Sequence, residues 1–360
     1  MAQSTNGTCL VIDLVRIRHN SRLIVEQCKK QDIEVLGVTK GFTALPRIVE
    51  AMAAGGITRF ADARLENINA LRQYGFTQDI TLLRIPMLSR VREVVALTNC
   101  SLNSELSVIE ALSEVALQMG TVHNVMLMVD VGDLREGVMP SEACEIMKQV
   151  LKLKGVHVCG VGTNMGCYGG ILPSEKNLSL LLQIAHDLET ITGEPFEEIS
   201  GGGTSSLTLL DKGEIPRGIT QLRIGEGLLL GTDTTHNADI PWLAQDAFVL
   251  KSEIVEVKNK PSVPLGEIGR NAFGSVPEFV DNGVRRRAII ALGKQDVTIE
   301  GIAPVDSAIS ILGASSDHMI LDITDTETPL QVGDQISFKL NYQGLLYLCN
   351  SRYVKKQYIS

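Results

Sequence analysis

The stretch Ile33-Glu34-Val35-Leu36-Gly37-Val38-Thr39-Lys40 decides the fold class, because an apolar, β-branched run of this length is typical of a buried strand. The run ends in a lysine. A lone lysine at a strand end most often extends its ammonium group into water. The alternative is a lysine whose pKa is lowered by burial, so that its amine can form a Schiff base with an aldehyde. The rest of the chain has to decide between the two.

Strand-like runs of this kind alternate with helix-like runs from residue 10 to residue 235. Amphipathic segments such as Leu65 to Tyr74 and Glu175 to Thr192 lie between the strands. The predicted strands end near Lys40, Ala61, Ile85, Leu102, Val131, Gly162, Ser200 and Arg223. Eight strands with intervening helices over about 225 residues predict an α/β fold, a (β/α)8 barrel of the TIM type. In such barrels, active sites lie at the carboxyl ends of the strands.

The chain beyond the barrel predicts a second, different domain. Short alternating runs such as Phe248 to Val257 are separated by turn residues, and no helix is predicted among them. We therefore expect a barrel at residues 10–235 and a C-terminal antiparallel β domain at residues 240–360. Residues 1–9 could join the β domain.

Composition and charge narrow the classes of partner. The formal net charge is −9, with 42 acidic and 33 basic side chains, which disfavours nucleic acids and anionic membranes as partners. The seven cysteines show no CxxC spacing, which favours reduced thiols in a cytoplasmic protein, and we predict no metal site. No signal peptide is evident, and no run is long and apolar enough to cross a bilayer. A cytoplasmic protein with a small-molecule substrate is expected.

Two glycine-rich runs follow the last two predicted strands. Ser200-Gly201-Gly202-Gly203-Thr204-Ser205-Ser206 leads into a helix-like segment, so its amides, its hydroxyl groups and the helix N-terminus could bind an anion. Arg223-Ile224-Gly225-Glu226-Gly227 again offers backbone amides beside a strand end. A flexible loop would explain either run alone, but phosphate groups commonly bind after strands seven and eight of a TIM-type barrel. The residues predicted for this phosphate site are Thr204, Ser205, Ser206, Gly225 and Glu226.

Taken in order, the motifs of this chain resemble the alanine racemase family of fold type III pyridoxal-phosphate enzymes, in particular its ornithine and lysine racemase branch. Ile12-Asp13-Leu14-Val15-Arg16-Ile17-Arg18-His19-Asn20 is similar to the family's opening segment, and Val38-Thr39-Lys40 falls where the family has its Schiff-base lysine. Val129-Asp130-Val131-Gly132-Asp133-Leu134-Arg135-Glu136-Gly137 resembles V-D-x-G-x-x-R-x-G, and Arg223-Ile224-Gly225 resembles R-x-G. The resemblance covers nearly the whole chain and implies pyridoxal 5'-phosphate as the cofactor.

The resemblance implies a role for each of these residues. Lys40 would anchor the cofactor and act as one acid/base, Arg135 would contact the substrate carboxylate, and Arg223 would hydrogen-bond the pyridine nitrogen. A guanidinium group does not readily give up a proton. The ring nitrogen would then stay unprotonated, which favours reprotonation of the α-carbon over transamination. Either arginine could instead form a structural ion pair.

Two positions depart from the family pattern. Met128 stands where many alanine racemases have a lysine, often carbamylated, that orients the carboxylate-binding arginine, so Arg135 would need another partner. Asn164 falls where the family usually stacks a histidine against the cofactor ring. Because an amide could support the phenolic oxygen of the ring or pack on its face, we expect Asn164 to contact the cofactor.

The second acid/base that a two-base racemase requires is left open by the sequence. Alanine racemases use a tyrosine from the partner subunit, whereas the corresponding stretch here, Leu292-Gly293-Lys294-Gln295-Asp296, has none, so Lys294 is the positional candidate. Histidine exchanges protons near neutral pH, which makes His318 the rival candidate. The family binds the substrate carboxylate near Ser316, and Asp317 could hold a distal ammonium group. Either segment could instead be a plain surface turn.

The expected function is racemisation of a basic amino acid: ornithine or lysine, with arginine as a third candidate. The family arrangement implies a head-to-tail homodimer in which the β domain of one subunit completes the site of the other. Two alternatives remain, a metal-assisted lyase of the D-threonine aldolase or D-serine dehydratase type and a non-catalytic pyridoxal-phosphate homeostasis protein. The first type carries a histidine–x–cysteine pair that is missing around Cys349, and the second lacks a β domain.

Overall fold

The computed structural model describes residues 7–360, which form two compact units. One unit is Leu14–Gln245. The other is Asp246–Ser360 together with residues 7–13. Residues 1–6, whose domain the sequence left open, lie outside the described part of the chain.

A closed barrel of eight parallel strands lies within Leu14–Gln245, which confirms the predicted (β/α)8 fold. Each strand pairs with the next along the chain, and the last pairs with the first. One strand of the other unit, β1 (Cys9–Asp13), precedes them. The barrel strands are β2 (Glu34–Val38), β3 (Arg59–Asp62), β4 (Ile80–Leu82), β5 (Cys100–Asn103), β6 (His123–Met128), β7 (Val156–Gly162), β8 (Glu198–Ser200) and β9 (Gln221–Ile224).

Helices connect the barrel strands, and a short hairpin follows the barrel. The helices are α1 (Leu14–Lys29), α2 (Pro46–Ala54), α3 (Leu65–Tyr74), α4 (Val91–Leu97), α5 (Leu106–Gln118), α6 (Ala143–Val150), α7 (Glu175–Thr192), α8 (Leu207–Lys212) and α9 (Glu226–Leu230). The hairpin pairs β10 (Thr232–Asp233) with β11 (Ala238–Asp239). Local signals fix the longest helix. A capping box of Ser174 and Asn177 opens α7, and Gly193, with a φ of 81°, closes it.

Apolar side chains at alternate strand positions pack as layers within the barrel. Leu36 and Val38 of β2 contact the buried Ala61 of β3. A second cluster brings Met126 and Met128 of β6 together with residues of β5 and β7. Met128 is completely buried, so it belongs to the barrel core.

The second unit contains an eight-stranded sheet that is antiparallel except for one pair. The further elements of this unit are β12 (Phe248–Pro261), β13 (Val284–Ile290), β14 (Ile302–Pro304), β15 (Ser310–Ala314), β16 (Met319–Asp322), β17 (Gln335–Leu340), β18 (Lys355–Ile359) and the helix α10 (Tyr342–Asn350). The strand order is β14-β17-β12-β13-β16-β15, and β1 pairs with both β12 and β18. The predicted C-terminal β domain is therefore present.

The segment 10–13 lies in this sheet and not at the start of the barrel, where its sequence pattern predicts it. Its strand β1 runs antiparallel to β12, with Ile12 opposite Phe248, and parallel to β18. Every residue from Cys9 to Ile12 is buried. A uniformly apolar run fits a strand in either domain, and periodicity cannot say which sheet it joins.

The helix α10 was not expected in the β domain. Its N-terminus is capped by the Asn341 side chain, which accepts the backbone N–H of Gly344 at 3.0 Å. Leu345 and Leu348 form its buried face. Gly344 and the two tyrosines of this segment have low helix propensity, so the sequence does not predict a helix here. No helix in residues 7–360 is long and apolar enough to span a membrane.

Candidate active site

Lys40 lies two residues beyond the end of β2, at the carboxyl end of the barrel strands. The preceding residue anchors this strand end, because the Thr39 backbone N–H donates to the carbonyl oxygen of Ala61 at 2.9 Å and its hydroxyl donates to Asp62 at 2.5 Å. Within residues 7–360, the Lys40 amine has neither a hydrogen-bond acceptor nor an ion-pair partner. A half-buried amine without an internal partner is poorly explained as a structural element.

Burial lowers the pKa of Lys40, because the ammonium form loses hydration. The positive charge of Arg135 lowers this pKa further, while Cys167, Asp62 and Glu136 act in the opposite direction. All four groups are therefore close enough to affect the charge of the amine. The lowered pKa enlarges the fraction of free amine, the form that attacks an aldehyde.

Asp62 ends β3 and was not among the predicted site residues. It is completely buried, and its carboxylate accepts the Arg64 backbone N–H at 2.8 Å and the Asn67 amide at 3.1 Å, besides the Thr39 hydroxyl. Burial raises the pKa of Asp62 against these stabilising bonds. The carboxylate thus fixes the loop beside Lys40.

Arg223 of β9 is buried, with 6% of its surface exposed. Its guanidinium donates to the Ser200 hydroxyl, to the carbonyl oxygen of Thr163 at 2.7 Å and to the side-chain oxygen of Asn164 at 2.7 Å. All three partners are neutral. Burial lowers the pKa of Arg223 to about 10, so the side chain keeps its charge at neutral pH without a directly bonded carboxylate.

Asn164, Glu136 and Arg135 extend this hydrogen-bonded network. The Asn164 amide donates to Glu136, and Glu136 in turn accepts the Nε–H and the Nη2–H of Arg135, the latter at 2.5 Å. The side chain of Arg135 is 35% exposed and that of Glu136 is 19% exposed. Burial opposes the charge of Arg135, but the bond to Glu136 and the nearby negative groups raise its pKa overall.

The loop that carries Arg135 is held by the carboxylate of Asp130. This carboxylate accepts the backbone N–H groups of Gly132 at 2.8 Å and of Leu134 at 3.2 Å. Gly137 closes the loop with a φ of 139°, and a Cβ there would lie 2.5 Å from the backbone nitrogen of Asp130. Only glycine fits this position. The backbone conformation of the loop therefore explains why the Arg135-Glu136-Gly137 run ends in glycine.

The two glycine-rich runs predicted to bind phosphate lie side by side. The backbone N–H of Arg223 donates to the carbonyl oxygen of Gly202 at 2.9 Å, and the backbone N–H of Gly227 donates to the Thr204 hydroxyl at 3.3 Å. Gly202 has a φ of 101°. A 3-10 turn at Thr204–Ser206 then leads into α8. The first N–H groups of such a turn have no acceptor inside it, so they remain for an anion.

The residues of these two runs differ in which of their groups can bind an anion. The Ser206 hydroxyl donates to the carbonyl oxygen of Gly201 at 2.7 Å, which makes it part of the turn. The Glu226 carboxylate accepts the hydroxyl groups of Thr232 at 2.7 Å and of Thr234 at 2.6 Å, and burial raises its pKa. Glu226 can therefore bind an anion through its backbone only.

The remaining predicted residues, Ser205 and Gly225, are suited to close approach. Ser205 is buried within the 3-10 turn. A Cβ at Gly225 would lie 3.2 Å from the Cβ of Val38, which is tighter than most such contacts. Gly225 therefore lets the chain after β9 pass close to the end of β2, just before Lys40.

The β-domain residues proposed for the site form one cluster. The Lys294 backbone N–H donates to the carbonyl oxygen of Ser315 at 2.9 Å, and a Cβ at Gly293 would lie 2.0 Å from the carbonyl oxygen of Ser316. The Lys294 ammonium lies 4.1 Å from the centre of the Phe273 ring, in a cation–π contact. The two rival segments are thus neighbours.

The side chains of the second segment are exposed. The Asp317 carboxylate accepts the Ser316 hydroxyl at 2.6 Å, and the backbone N–H of His318 donates to the hydroxyl of Ser315 at 3.2 Å. Asp317 and His318 are therefore presented together at one turn. The arrangement does not choose between Lys294 and His318 as the second acid/base.

Glu136, like Asp62, is a site residue that the sequence did not predict. Its only signal was an acidic side chain directly after the arginine of the Arg135-Glu136-Gly137 run. Adjacent residues in a strand or helix point in different directions, so sequence adjacency alone does not predict an ion pair. The contact depends on the loop path that Asp130 and Gly137 impose.

The lowered pKa of Lys40 can be measured in the cofactor-free protein. We expect its acetylation by acetic anhydride to reach half of its maximal rate at a lower pH than that of Nα-acetyl-lysine in the same sample, because burial disfavours the ammonium form. Mass spectrometry of the Lys40 peptide across a pH series gives the rate. A midpoint at or above that of the reference amine would contradict the assignment.

Comparisons with known proteins agree with this arrangement. A sequence model described as "Alanine racemase, N-terminal domain" matches residues 12–233. The chain is 42% identical over 349 residues to an ornithine racemase from Acetoanaerobium sticklandii, with 97% of this chain and 98% of that protein covered. A lysine racemase from Thermotoga maritima shows the same identity, over the same length and coverage.

Solved structures show the same fold. An alanine racemase from Streptomyces lavendulae superposes with a TM-score of 0.78 at 17% identity, covering 99% of this chain and 98% of that chain. At this identity, the likeness concerns the fold alone. The match to the family model and the two full-length relatives go further: the chain belongs to the alanine racemase family.

Proposed function

We propose that this chain is a pyridoxal-phosphate-dependent racemase of a basic amino acid, ornithine or lysine. One observation carries the proposal: a lysine amine with a lowered pKa lies at the same barrel end as a buried arginine. Among residues 7–360, the lysine amine has no hydrogen-bond or ion-pair partner, and the arginine side chain bonds to neutral groups. Relatives at 42% identity over nearly the whole chain, the β domain included, are an ornithine and a lysine racemase. This favours a racemase over a metal-assisted lyase or a homeostasis protein.

The residues present fit pyridoxal 5'-phosphate. The Lys40 amine would anchor the cofactor, and Thr204, Ser205 and the backbone at Gly225 and Glu226 would hold its phosphate. The backbone N–H groups that open the 3-10 turn at Thr204–Ser206 have no acceptor inside the turn, so they could donate to the phosphate. When bound, the cofactor would draw electrons away from the substrate α-carbon and so make the α-proton acidic enough to be removed.

Arg223 and Asn164 would face the ring. Because the pKa of Arg223 is about 10, its guanidinium stays protonated at neutral pH and offers a hydrogen bond without releasing a proton. By keeping its proton, Arg223 would favour return of a proton to the α-carbon over transamination. Asn164 is fixed by Arg223 and Glu136, so its amide is held in one orientation at this site.

The remaining steps are proton transfers by side chains of the protein. The Lys40 amine would remove the α-proton on one face and return it there, while Arg135 holds the substrate carboxylate. A second acid/base, Lys294 or His318, would serve the opposite face. Removal on one face and return on the other inverts the configuration.

The β-domain cluster would act across a subunit interface. We infer a head-to-tail homodimer, on the family resemblance, in which this cluster reaches the barrel of the partner subunit. Ser316 would help to bind the substrate carboxylate through its backbone. The exposed carboxylate of Asp317 would attract the distal ammonium group of ornithine or lysine, and the net charge of −9 favours cationic substrates.

Racemisation can be followed from one pure enantiomer. With pyridoxal 5'-phosphate present, we expect L-ornithine or L-lysine to be converted to an equal mixture of both enantiomers, because enantiomers have equal free energies in water. Chiral chromatography measures the products. Lys40→Ala should abolish conversion, while Lys152→Ala, at an exposed lysine, serves as the matched control. Formation of a keto acid or an aldehyde instead of the D-enantiomer would contradict a racemase.

The second acid/base can be identified by deuterium uptake. In deuterium oxide, we expect either Lys294→Met or His318→Gln to abolish uptake at the α-carbon from one enantiomer and to preserve uptake from the other, because each base serves one face. Proton magnetic resonance of the recovered substrate gives the uptake. If both variants keep uptake from both enantiomers, the second base lies elsewhere in the chain.

A further inference from the structure

Glu136 bonds to both Arg135 and Asn164, and the function proposed above uses only its contact with Asn164. Its two carboxylate oxygens accept three hydrogen bonds, two from the Arg135 guanidinium and one from the Asn164 amide. Its side chain is only 19% exposed, so these bonds are partly shielded from water. A two-point pair between a guanidinium and a carboxylate fixes orientation as well as charge.

The geometry leaves Arg135 able to bind a second carboxylate. A guanidinium carries five N–H donors, and Glu136 uses one on Nε and one on Nη2. The donors of Nη1 and the second donor of Nη2 remain. These lie along the edge of the fork that does not face Glu136, so one carboxylate orients the group while another can be bound.

We propose that Glu136 is a positioning residue that holds Arg135 in the orientation that binds the substrate carboxylate and joins it through Asn164 to Arg223. The inference rests on the proposed function. The completely buried Met128 offers no charge or hydrogen bond to Arg135, so the barrel core does not supply this orientation. Glu136 supplies it from the same loop as the arginine.

The network also joins the two halves of the site. Asn164 accepts from Arg223 at 2.7 Å and donates to Glu136, so its amide can satisfy both neighbours in one orientation only. A change at Glu136 therefore releases Asn164 as well as Arg135. A residue that merely neutralised surface charge would show neither connection.

The opposite interpretation makes a different prediction. If the Glu136 carboxylate only filled the place of the substrate carboxylate, removing its charge would strengthen substrate binding. If Glu136 positions Arg135, the same change weakens binding. The sign of the effect of Glu136→Gln, which keeps size and shape, therefore decides between the two.

The first experiment needs no knowledge of the substrate. In the cofactor-loaded protein, we expect Glu136→Gln to increase the rate at which phenylglyoxal modifies Arg135 by about threefold or more, because a charged two-point pair is replaced by weaker bonds. Peptide mass spectrometry gives the rate. Glu110→Gln, which removes one exposed charge on α5, is the matched control. An unchanged rate for Arg135 in Glu136→Gln would overturn the proposal for any substrate.

The second experiment compares ligands that differ by one carboxylate. L-ornithine and 1,4-diaminobutane are titrated into the cofactor-loaded protein by calorimetry. We expect Glu136→Gln to weaken binding of ornithine about tenfold and that of the diamine less than about twofold, since only ornithine uses Arg135. Glu136→Asp, which keeps the charge, should lose less than Glu136→Gln. Tighter or unchanged ornithine binding, or an equal loss for both ligands, would overturn the proposal.

Two further results separate this inference from the function on which it rests. In an Arg135→Gln background, Glu136→Gln should change the affinity for ornithine by less than about twofold, because its route to the substrate has been removed. Full additivity of the two substitutions would overturn the inference. If the unsubstituted protein does not prefer ornithine or lysine to the diamine, the proposed substrate fails, while the phenylglyoxal rate still tests Glu136.

Discussion

Burial of the Arg223 guanidinium among neutral partners is the constraint on which the rest of the site depends. A buried charge has to be satisfied by hydrogen bonds, and here a hydroxyl, a carbonyl oxygen and an amide oxygen from β8 and the segment after β7 supply them. Satisfying Arg223 fixes Ser200 and Asn164 in turn. The Arg223 backbone also bonds to Gly202, so the same residue aligns the glycine-rich turn.

The charged groups around Lys40 both shift its pKa and hold the neighbouring loops in place. Burial of the Lys40 ammonium and the nearby positive charge of Arg135 both favour the free amine at Lys40. Glu136 and Asp62 moderate that effect, so the lysine side chain is tuned by groups that also fix the loops beside it. Positioning and electrostatics are therefore not separate features of this barrel end.

Much of this could be predicted from sequence, because the barrel repeats one pattern eight times. The predicted strand ends at Gly162 and Ser200 coincide with the observed ends. The prediction for β4 ran three residues too far, to Ile85, because Leu83 and Ile85 stay apolar and pack against the core beyond the last paired residue. Strand ends carry the chemistry in this fold, so Lys40 and Arg223 stood out.

The features that were not predicted depend on loop conformations and on contacts between distant segments, which hydrophobic periodicity does not reveal. The contact of Glu136 with Arg135 requires a loop shaped by Asp130 and Gly137. Strand β1, near the start of the chain, pairs with β12 and with β18, which lies near its end, and no local pattern predicts such distant partners. The adjacency of Lys294 and Ser315 likewise arises from backbone hydrogen bonds between two turns.

Covalent mapping can show whether Lys40 anchors the cofactor. The protein would be incubated with pyridoxal 5'-phosphate, treated with borohydride to make the cofactor–lysine link permanent, and digested for mass spectrometry. At one equivalent of cofactor, we expect a pyridoxyl-phosphate mass increment on the peptide that contains Lys40 and on no other lysine peptide. An increment at a different lysine, or none at all, would show that Lys40 is not the anchor.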